Sequence, residues 1–389
     1  MKLKDFFTGK KEVEFKQLET TNKMTELQSF GIQTDYSQPI EYTPKTARGY
    51  LYGVNGMFPQ ELNRLYHQSP LHSAILNFKR LLTTGNGYSI IGNLDGMQMI
   101  LLNQLTLQFD EFLNDISMDY FIHSRICLKI TWNSDNSKIL KLERISPEKI
   151  RINNVNENHK PTSFLYNWDW MQTTRYETIE YAAFDTYNKK DKCQIYQYEM
   201  KSPGMRLYAE PTYQSGLNWV VLDSEMSQYH KANILNSVNP SILLQYYEKP
   251  GTQEEKQQVL YDLNTSFAGA RKTGRAFVTF SDGKDLAPTV TQMEANKLDK
   301  TFLSLTDTIQ RQIAYSHQID PSLMGLKTPG SLGNSSEKAD SYKIFNASVI
   351  QPAQSTIEYI LNNFIKINGL GVKIKLNETD LFPDTIITK

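Results

Sequence analysis

Two long helical patterns in the second half of the sequence constrain the fold most, because they enclose a short unit with a different pattern. The first runs from Tyr213 to about Asn236 and the second from Met293 to about His317. At 1.5 Å per residue each helix would be ~36 Å long. The sequence therefore predicts two rigid rods of similar length. In the second rod the apolar residues recur every three to four positions, as on one helix face: Leu298, Phe302, Leu305, Ile309 and Ile313.

The segment between the rods predicts two strands and a helix. Pro240 ends the first rod, because the residue before a proline disfavours helical backbone. A strand is expected from Ser241 to Tyr247 and a second from Ala276 to Phe280. Between them, Thr252 and Glu255 have the spacing of a capping box, in which each side chain accepts from the other residue's backbone N–H at a helix start. The second half therefore has the order helix, strand, helix, strand, helix.

The first half has the mixed pattern of an α+β domain. Helices are predicted from Pro59 to Leu82 and from Met97 to Met118, where apolar residues follow helical spacing. Alternating apolar residues predict strands from Phe121 to Trp132 and from Ile139 to Ile152. Aromatic segments between 160 and 200 predict further antiparallel strands, either as an exposed contact surface or as ordinary core.

Residues 1 to about 55 are rich in Lys, Thr, Gln and Ser, and their hydrophobic residues are scattered. This composition predicts either an arm that orders against a neighbouring subunit or a disordered tail. The first residues are basic but lack the apolar core of a signal peptide. No run approaches the ~18 apolar residues of a membrane span. Cys127 and Cys193 are too few for a disulfide framework, so we expect reduced thiols and synthesis in the cytoplasm.

The charge balance argues against tight, sequence-independent DNA binding. Lys and Arg number 42, as do Asp and Glu, so the formal net charge is +0. Proteins that neutralise many phosphates normally carry a basic excess. Any DNA contact should therefore be loose or confined to local patches. The second rod carries both positively and negatively charged residues between its apolar positions: Glu294, Lys297, Asp299, Lys300, Asp307 and Arg311. This mixture would suit a surface past which DNA slides, and it is equally typical of an ordinary solvated helix face.

Catalytic patterns are weak throughout the sequence. Ser335–Lys338 is an S-x-x-K motif, but the K-T-G at Lys272–Gly274 precedes it and no S-D-N is present. The glycines at 85, 87 and 92 lack the full dinucleotide fingerprint, and there is no phosphate-binding P-loop. The six histidines are dispersed, so each is expected to be a lone structural or surface residue. We therefore expect no enzyme, no cofactor and no metal.

The order of elements in the second half resembles the central cassette of tailed-phage portal proteins, most closely the compact HK97-like type. Gln312-Ile313-Ala314-Tyr315 and Ile319–Gly325 are similar to a run of that family at the end of the returning stem helix. Lys327–Ser336 resembles the family's tunnel loop. A helix from about Glu337 to Phe364, interrupted at Pro352, follows it.

This resemblance implies an α+β portal fold with minimal or absent crown, because the chain ends about twenty residues after Gly369. The implied segments, in chain order, are an N-terminal arm (1–55), the first part of the wing (56–212), stem helix 1 (213–239), the clip (240–292), stem helix 2 (293–319), the tunnel-loop region (320–337), and a wing helix with a short C-terminal end (338–389).

The implied function is a head-to-tail connector: a homo-oligomeric, dodecameric ring at one capsid vertex of the virion. Double-stranded DNA would pass through it during genome packaging and ejection. The implied partners are other copies of the chain, the major capsid protein, terminase during packaging, and then a head–tail adaptor, with no membrane. The alternatives are another virion component, such as an adaptor or tail protein, and a nucleic-acid-processing enzyme with an unrecognised site.

Two groups of residues are candidate contacts under this resemblance. Those expected to meet DNA in the tunnel loop are Lys327, Asn334, Ser335, Ser336 and Lys338. The alternative for this segment is a disordered surface loop. Those expected at the clip surface for terminase and adaptor are Arg271, Lys272 and Arg275, with a solvated basic turn as the alternative. No catalytic or metal-binding residues are expected.

Overall fold

The computed structural model describes residues 45–53, 56–92, 108–187, 191–236, 242–246, 252, 254–255, 257–258, 261, 276–280, 296–326 and 335–382. Within these, side chains are described except at 232–236, 242–246, 276–280, 296–303 and 335. The helices are α1 (Phe58–Gln68), α2 (Pro70–Thr84), α3 (Phe109–His123), α4 (Leu217–Asn236), α5 (Asn296–Ser316), α6 (Ser335–Phe345) and α7 (Gln351–Ile367). The strands are β1 (Tyr88–Ile91), β2 (Arg125–Trp132), β3 (Ile139–Arg144), β4 (Ile150–Val155), β5 (Pro161–Tyr166), β6 (Ile179–Ala183), β7 (Cys193–Glu199), β8 (Ile242–Tyr246), β9 (Ala276–Phe280) and β10 (Lys373–Leu376).

A six-stranded sheet forms the body of the first half, in the order β3-β2-β7-β6-β5-β4. Its neighbours are antiparallel except β6 and β7, which pair parallel at Ala182↔Gln194 and Ala183↔Ile195. The expectation that all strands between 160 and 200 are antiparallel is wrong for this pair. Residues 184–192 between the two strands exceed the two to five residues of ordinary hairpin loops, so the chain has room to return and run alongside in the same direction.

Helix α3 extends further than the sequence predicts. The described helix begins at Phe109 and ends at His123, so Phe121 lies in its last turn rather than in a strand. Ser124 then adopts left-handed backbone with φ 52°, which ends the helix before β2. A continuous apolar run fits a helix and a buried strand equally well, and this explains the misplaced boundary. Residues 97–107 of that predicted helix lie outside the described residues.

The C-terminal part of the chain packs against the six-stranded sheet. Helix α7 packs its buried face on the sheet, where the Phe364 ring contacts Phe184 and Tyr196 edge-on with centroids 5.5 and 5.1 Å apart. Strand β10 then pairs antiparallel with β1. The break predicted at Pro352 is misplaced. A π-helical turn at Asn346–Ile350 precedes it, and Pro352 lies in the first turn of α7, where a missing N–H is tolerated.

The predicted rods and the unit between them are present. Helices α4 and α5 pack along each other. Strands β8 and β9 pair parallel from Ile242↔Ala276 to Tyr246↔Phe280. The capping box is also confirmed: the Thr252 backbone N–H donates to the Glu255 carboxylate, and the Glu255 N–H donates to Thr252 Oγ1, both at 3.3 Å. No helix within the described ranges combines the length and apolar character of a membrane span.

Candidate functional site

The two long helices meet the rest of the molecule at a buried polar cluster, which we call the junction cluster: His72, Lys79, Tyr213 and His317. His72 Nδ1 lies 2.8 Å from His317 Nε2, and Lys79 Nζ lies 3.3 Å from His317 Nδ1. The Tyr213 ring stacks on His317 with centroids 4.7 Å apart, and its hydroxyl donates to the Ile122 carbonyl at 2.7 Å. All four side chains are buried. The cluster therefore joins α2, the approach to α4 and the end of α5.

Backbone approach at the same point is close because Gly216 faces α5. A Cβ built on Gly216 would lie 2.2 Å from Ser316 Oγ and 2.3 Å from Ser316 Cβ. Such separations are far inside van der Waals contact. The short 3₁₀ turn Gln214–Gly216 thus requires a residue without a side chain where it meets the last turn of α5. The absence of a side chain at Gly216 therefore allows the turn before α4 to approach the last turn of α5 closely.

A second set of polar contacts ties α4 to the first two helices. Ser69 ends α1 and caps α2, where its hydroxyl oxygen accepts from the His72 N–H at 3.4 Å. The same hydroxyl donates to Asp223 Oδ2 at 2.6 Å. At the next residue of α4, Ser224 Oγ donates to Gln68 Oε1 at 3.0 Å. Ser69 therefore serves both local helix capping and the attachment of α4.

Burial controls protonation in the junction cluster. Burial lowers the pKa of Lys79 to about 7. Burial, with the nearby Lys79 ammonium as a smaller cause, lowers the pKa of His72 to about 3 and the pKa of His317 well below its ordinary value. Both imidazoles are therefore neutral near pH 7, and the lysine is close to its midpoint. The geometry favours a rigid, charge-poor joint over an ion-pair network.

The flanks of the predicted tunnel loop are also ordered. Asp320 caps the 3₁₀ turn Pro321–Met324 by accepting from the Ser322 N–H at 2.8 Å, and Gly325 ends the turn with φ 77°. The other Asp320 carboxylate oxygen accepts from Ser341 Oγ of α6 at 3.2 Å. This bond joins the chain before the loop to the helix after it, so both ends of the loop are held together.

The structure describes only part of the predicted contact residues. Ser335 and Ser336 form the start of α6, and Ser336 and Lys338 are exposed on it. Two predicted loop residues lie outside the described residues, as does the whole basic clip group: Lys327, Asn334, Arg271, Lys272 and Arg275. The DNA and terminase assignments therefore remain predictions.

Sequence reasoning missed the histidine pair. The expectation that every histidine is a lone residue is wrong for His72 and His317, which are 245 positions apart in sequence and in hydrogen-bonding contact. No short spacing rule detects such a pair. His72 lies in the first turn of α2, and His317 directly follows the last residue of α5. Among the residues that the structure describes, no group of three His, Cys, Asp or Glu side chains could hold a metal ion.

No protein-family model and no curated protein matches the sequence. Solved structures match throughout most of the chain. One is the neck of an empty gene transfer agent particle computed with C6 symmetry, with a TM-score of 0.56 and 14% identity over 90% of this chain and 89% of that chain. Another is the neck of the native particle computed with C12 symmetry, with a TM-score of 0.52 and 15% identity over 82% and 84%.

Two further structures are similar. The virion of the native gene transfer agent particle matches with a TM-score of 0.54 and 14% identity, covering 82% of this chain and 83% of that chain. An HK97-family phage portal protein from Corynebacterium diphtheriae has a TM-score of 0.42 and 12% identity, covering 81% of this chain and 94% of that chain, and no argument rests on this likeness.

These likenesses concern the fold, since every identity is below 25%. The chain has the fold of a structural component found in the particle neck. The α+β fold class predicted from the sequence is confirmed, and the fold is similar to that of chains in the neck and virion of these particles.

Proposed function

We propose that this chain is a portal protein: a subunit of a dodecameric ring at one capsid vertex that conducts double-stranded DNA during packaging and ejection. The predicted segments, from N-terminal arm to wing helix, are the proposed domains of this subunit. In this role the chain supplies no catalysis, and terminase drives the DNA. Terminase would dock at the clip first and a head–tail adaptor later, while the wing meets the major capsid protein.

The observation that carries the proposal is the pair α4 and α5, which brackets the small β8–β9 unit and is anchored in the α+β body through the junction cluster. A ring conduit needs stiff walls, and two helices of about this length per subunit supply them. The similar neck structures computed with C12 and C6 symmetry support a cyclic arrangement. Closed rings of identical subunits use one repeated interface.

The test is the assembly state of the purified full chain. Negative-stain microscopy and mass photometry should show rings, with twelve copies of 44.8 kDa each. A chain that remains a monomer or dimer under all assembly conditions, with divalent-dependent nuclease activity, would refute the portal assignment and favour the enzyme alternative.

A second candidate is another component of the neck, such as an adaptor, because the similar structures are described as neck and virion. Deleting the gene separates the two roles. Without a packaging conduit DNA cannot enter, so empty capsids should accumulate. Without a part added after packaging, capsids filled with DNA but lacking tails should accumulate instead. The portal proposal requires the first outcome.

The clip assignment is tested by reversing its charges. We propose that Arg271, Lys272 and Arg275 bind acidic surface on terminase and adaptor. Their joint replacement by Glu should leave ring formation unchanged and weaken terminase binding, measured by co-sedimentation. The matched control reverses Lys138, Lys192 and Lys373, three exposed lysines elsewhere. Equal losses in both triple variants would contradict a specific clip contact.

A further inference from the structure

A groove of about 460 Å³ lies on the first-half sheet, away from the junction cluster and both long helices. One wall is the β4–β5 turn with Lys160, and the other is the segment from Lys201 to Leu207 that follows β7. Its volume is within the range of sites that bind ligands or peptide side chains. The portal role proposed above makes no use of it.

The rim of the groove is basic and its cations are available. Lys160, Lys201 and Arg206 are all exposed, and within the described part of the chain no carboxylate forms an ion pair with any of them. Glu199 lines the groove as well, but it already faces Arg125, with Nη1 and Oε1 3.8 Å apart. The rim therefore presents three positive charges that lack a partner within the described chain.

The interior of the groove is apolar and adaptable. It is lined by the half-buried side chains of Phe184, Tyr196, Met200 and Met205. Methionine side chains adjust to irregular partners because they are unbranched and polarizable. An occupant should therefore bring apolar or aromatic side chains together with carboxylates.

The sequence contains such a segment in residues 24–44. It has three carboxylates and no lysine or arginine. Its apolar residues are interspersed between them: Leu27, Phe30, Ile32, Tyr36, Ile40 and Tyr42. The three carboxylates, Glu26, Asp35 and Glu41, match the three cations of the rim in number and are opposite in sign.

The length of chain before the first described residue allows an occupant from another copy. Lys45 contacts Asn154 of β4, which is an edge strand of the six-stranded sheet. The preceding 21 positions, 24–44, could span up to ~70 Å when extended. That reach suffices to cross from one subunit to its neighbour in an assembly.

We propose that this groove is the docking site for residues 24–44 of a neighbouring copy of the same chain, with the basic rim paired to their carboxylates. The contact would link adjacent subunits through the first-half sheets, independently of the long helices. This docking proposal requires from the proposed portal function only that copies of the chain associate. It does not require that the assembly conducts DNA.

Two charge-reversed variants of the full chain test the proposal. The groove variant carries Lys160→Glu, Lys201→Glu and Arg206→Glu; the segment variant carries Glu26→Lys, Asp35→Lys and Glu41→Lys. The readout is the rate of chymotrypsin cleavage after Tyr36 and Tyr42, measured by mass spectrometry. Each variant alone should be cleaved about tenfold faster than the wild type, the factor that three surface ion pairs together supply.

Mixing the two variants identifies the occupant. In a 1:1 mixture each segment can find a groove of opposite charge on the other variant, so cleavage should return to the wild-type rate. A mixture cleaved as fast as its components would overturn docking between copies, and slow cleavage of the groove variant alone would overturn the groove assignment.

The matched control carries Lys138→Glu, Lys192→Glu and Lys373→Glu and should be cleaved at the wild-type rate; cleavage as fast as that of the groove variant would overturn specificity for the rim. The cleavage rate reports docking in any complex of two or more copies, whether or not a ring forms. If microscopy shows no rings, the portal function is contradicted, but the cleavage rates still test the docking proposal.

Discussion

At the scale of single residues, Lys79 shows how the joint between the long helices and the body is built. Its ammonium is buried beside His317 and over the ring of Phe121, with Nζ 5.8 Å from the ring centroid. A buried cation normally requires a carboxylate partner. Burial instead lowers the pKa of Lys79 to about 7, so the amine loses its proton easily. The joint therefore depends on neutral hydrogen bonding and stacking.

The first prediction concerns the pH dependence of stability at Lys79. In the unfolded chain the amine titrates near its ordinary 10.5 and in the folded chain near 7. Between these values the unfolded chain binds more protons, so this residue makes the free energy of unfolding rise with pH. Below pH 7 its destabilising effect is present in full. Lys79→Met removes this titration.

Urea unfolding of wild type and Lys79→Met between pH 6 and pH 10 measures the effect. The stability of wild type relative to the variant should increase with pH, by on the order of 4 kcal/mol across the range, at ~1.4 kcal/mol per unit. The exposed Lys138 provides the control, since Lys138→Met should show no such slope. A pH-independent difference for Lys79→Met would contradict the buried-amine interpretation.

A second residue-scale prediction concerns Gly216. Gly216→Ala should destabilise the chain by about 1–3 kcal/mol, because the new methyl group would overlap Ser316. Ser316→Gly removes the overlapping atoms, so the double variant should recover part of the loss, as a double-mutant cycle of unfolding free energies would show. Apart from Gly371 itself and its two chain neighbours, no atom of the described residues lies within 4 Å of a Cβ built on Gly371, which makes Gly371→Ala the matched control. Additive losses would show that the two residues do not meet.

At the scale of elements, one hydroxyl both caps α2 and helps to attach α4. Ser69→Ala removes the cap of α2 and the hydrogen bond to Asp223 together. The expected cost is ~1–2 kcal/mol of unfolding free energy, measured by urea denaturation. The control is Ser348→Ala on an exposed π-helical position, where the hydroxyl only bonds the Ile344 carbonyl. Equal effects of the two changes would rule out a special role for Ser69.

Elements governed by local chemistry could be predicted from the sequence. The capping box at Thr252, the end of α5 before Pro321 and the two long helices all follow from neighbouring residues, and the structure has them. What could not be predicted depends on distant residues. The parallel pairing of β6 with β7 and the His72–His317 contact arise when the chain folds back on itself, and no local spacing encodes them.

At the scale of the whole molecule, the exposed second half of α4 is a candidate contact between copies in the proposed ring. Along its second half, from Glu225 to Lys231, every described side chain is exposed except the half-buried Met226, and Tyr229 is 42% exposed. A helix that is polar on all sides is typical of one that bridges units or contacts other chains. In the proposed ring, neighbouring copies would cover this part of the rod.

The last prediction separates assembly from DNA handling. Removing Thr328–Ser336 would shorten α6 at Ser335 and Ser336, so deletion of 328–334 is the sharper test of the tunnel-loop proposal. The bond from Ser341 to Asp320, which holds the two flanks together, involves no deleted residue. Rings should therefore form as in the wild type under negative stain, while the DNA retained per capsid, measured by nuclease-protected DNA, should fall. If the rings disappear, the loop is needed for assembly, whereas wild-type DNA retention would show that it does not contact DNA in the channel.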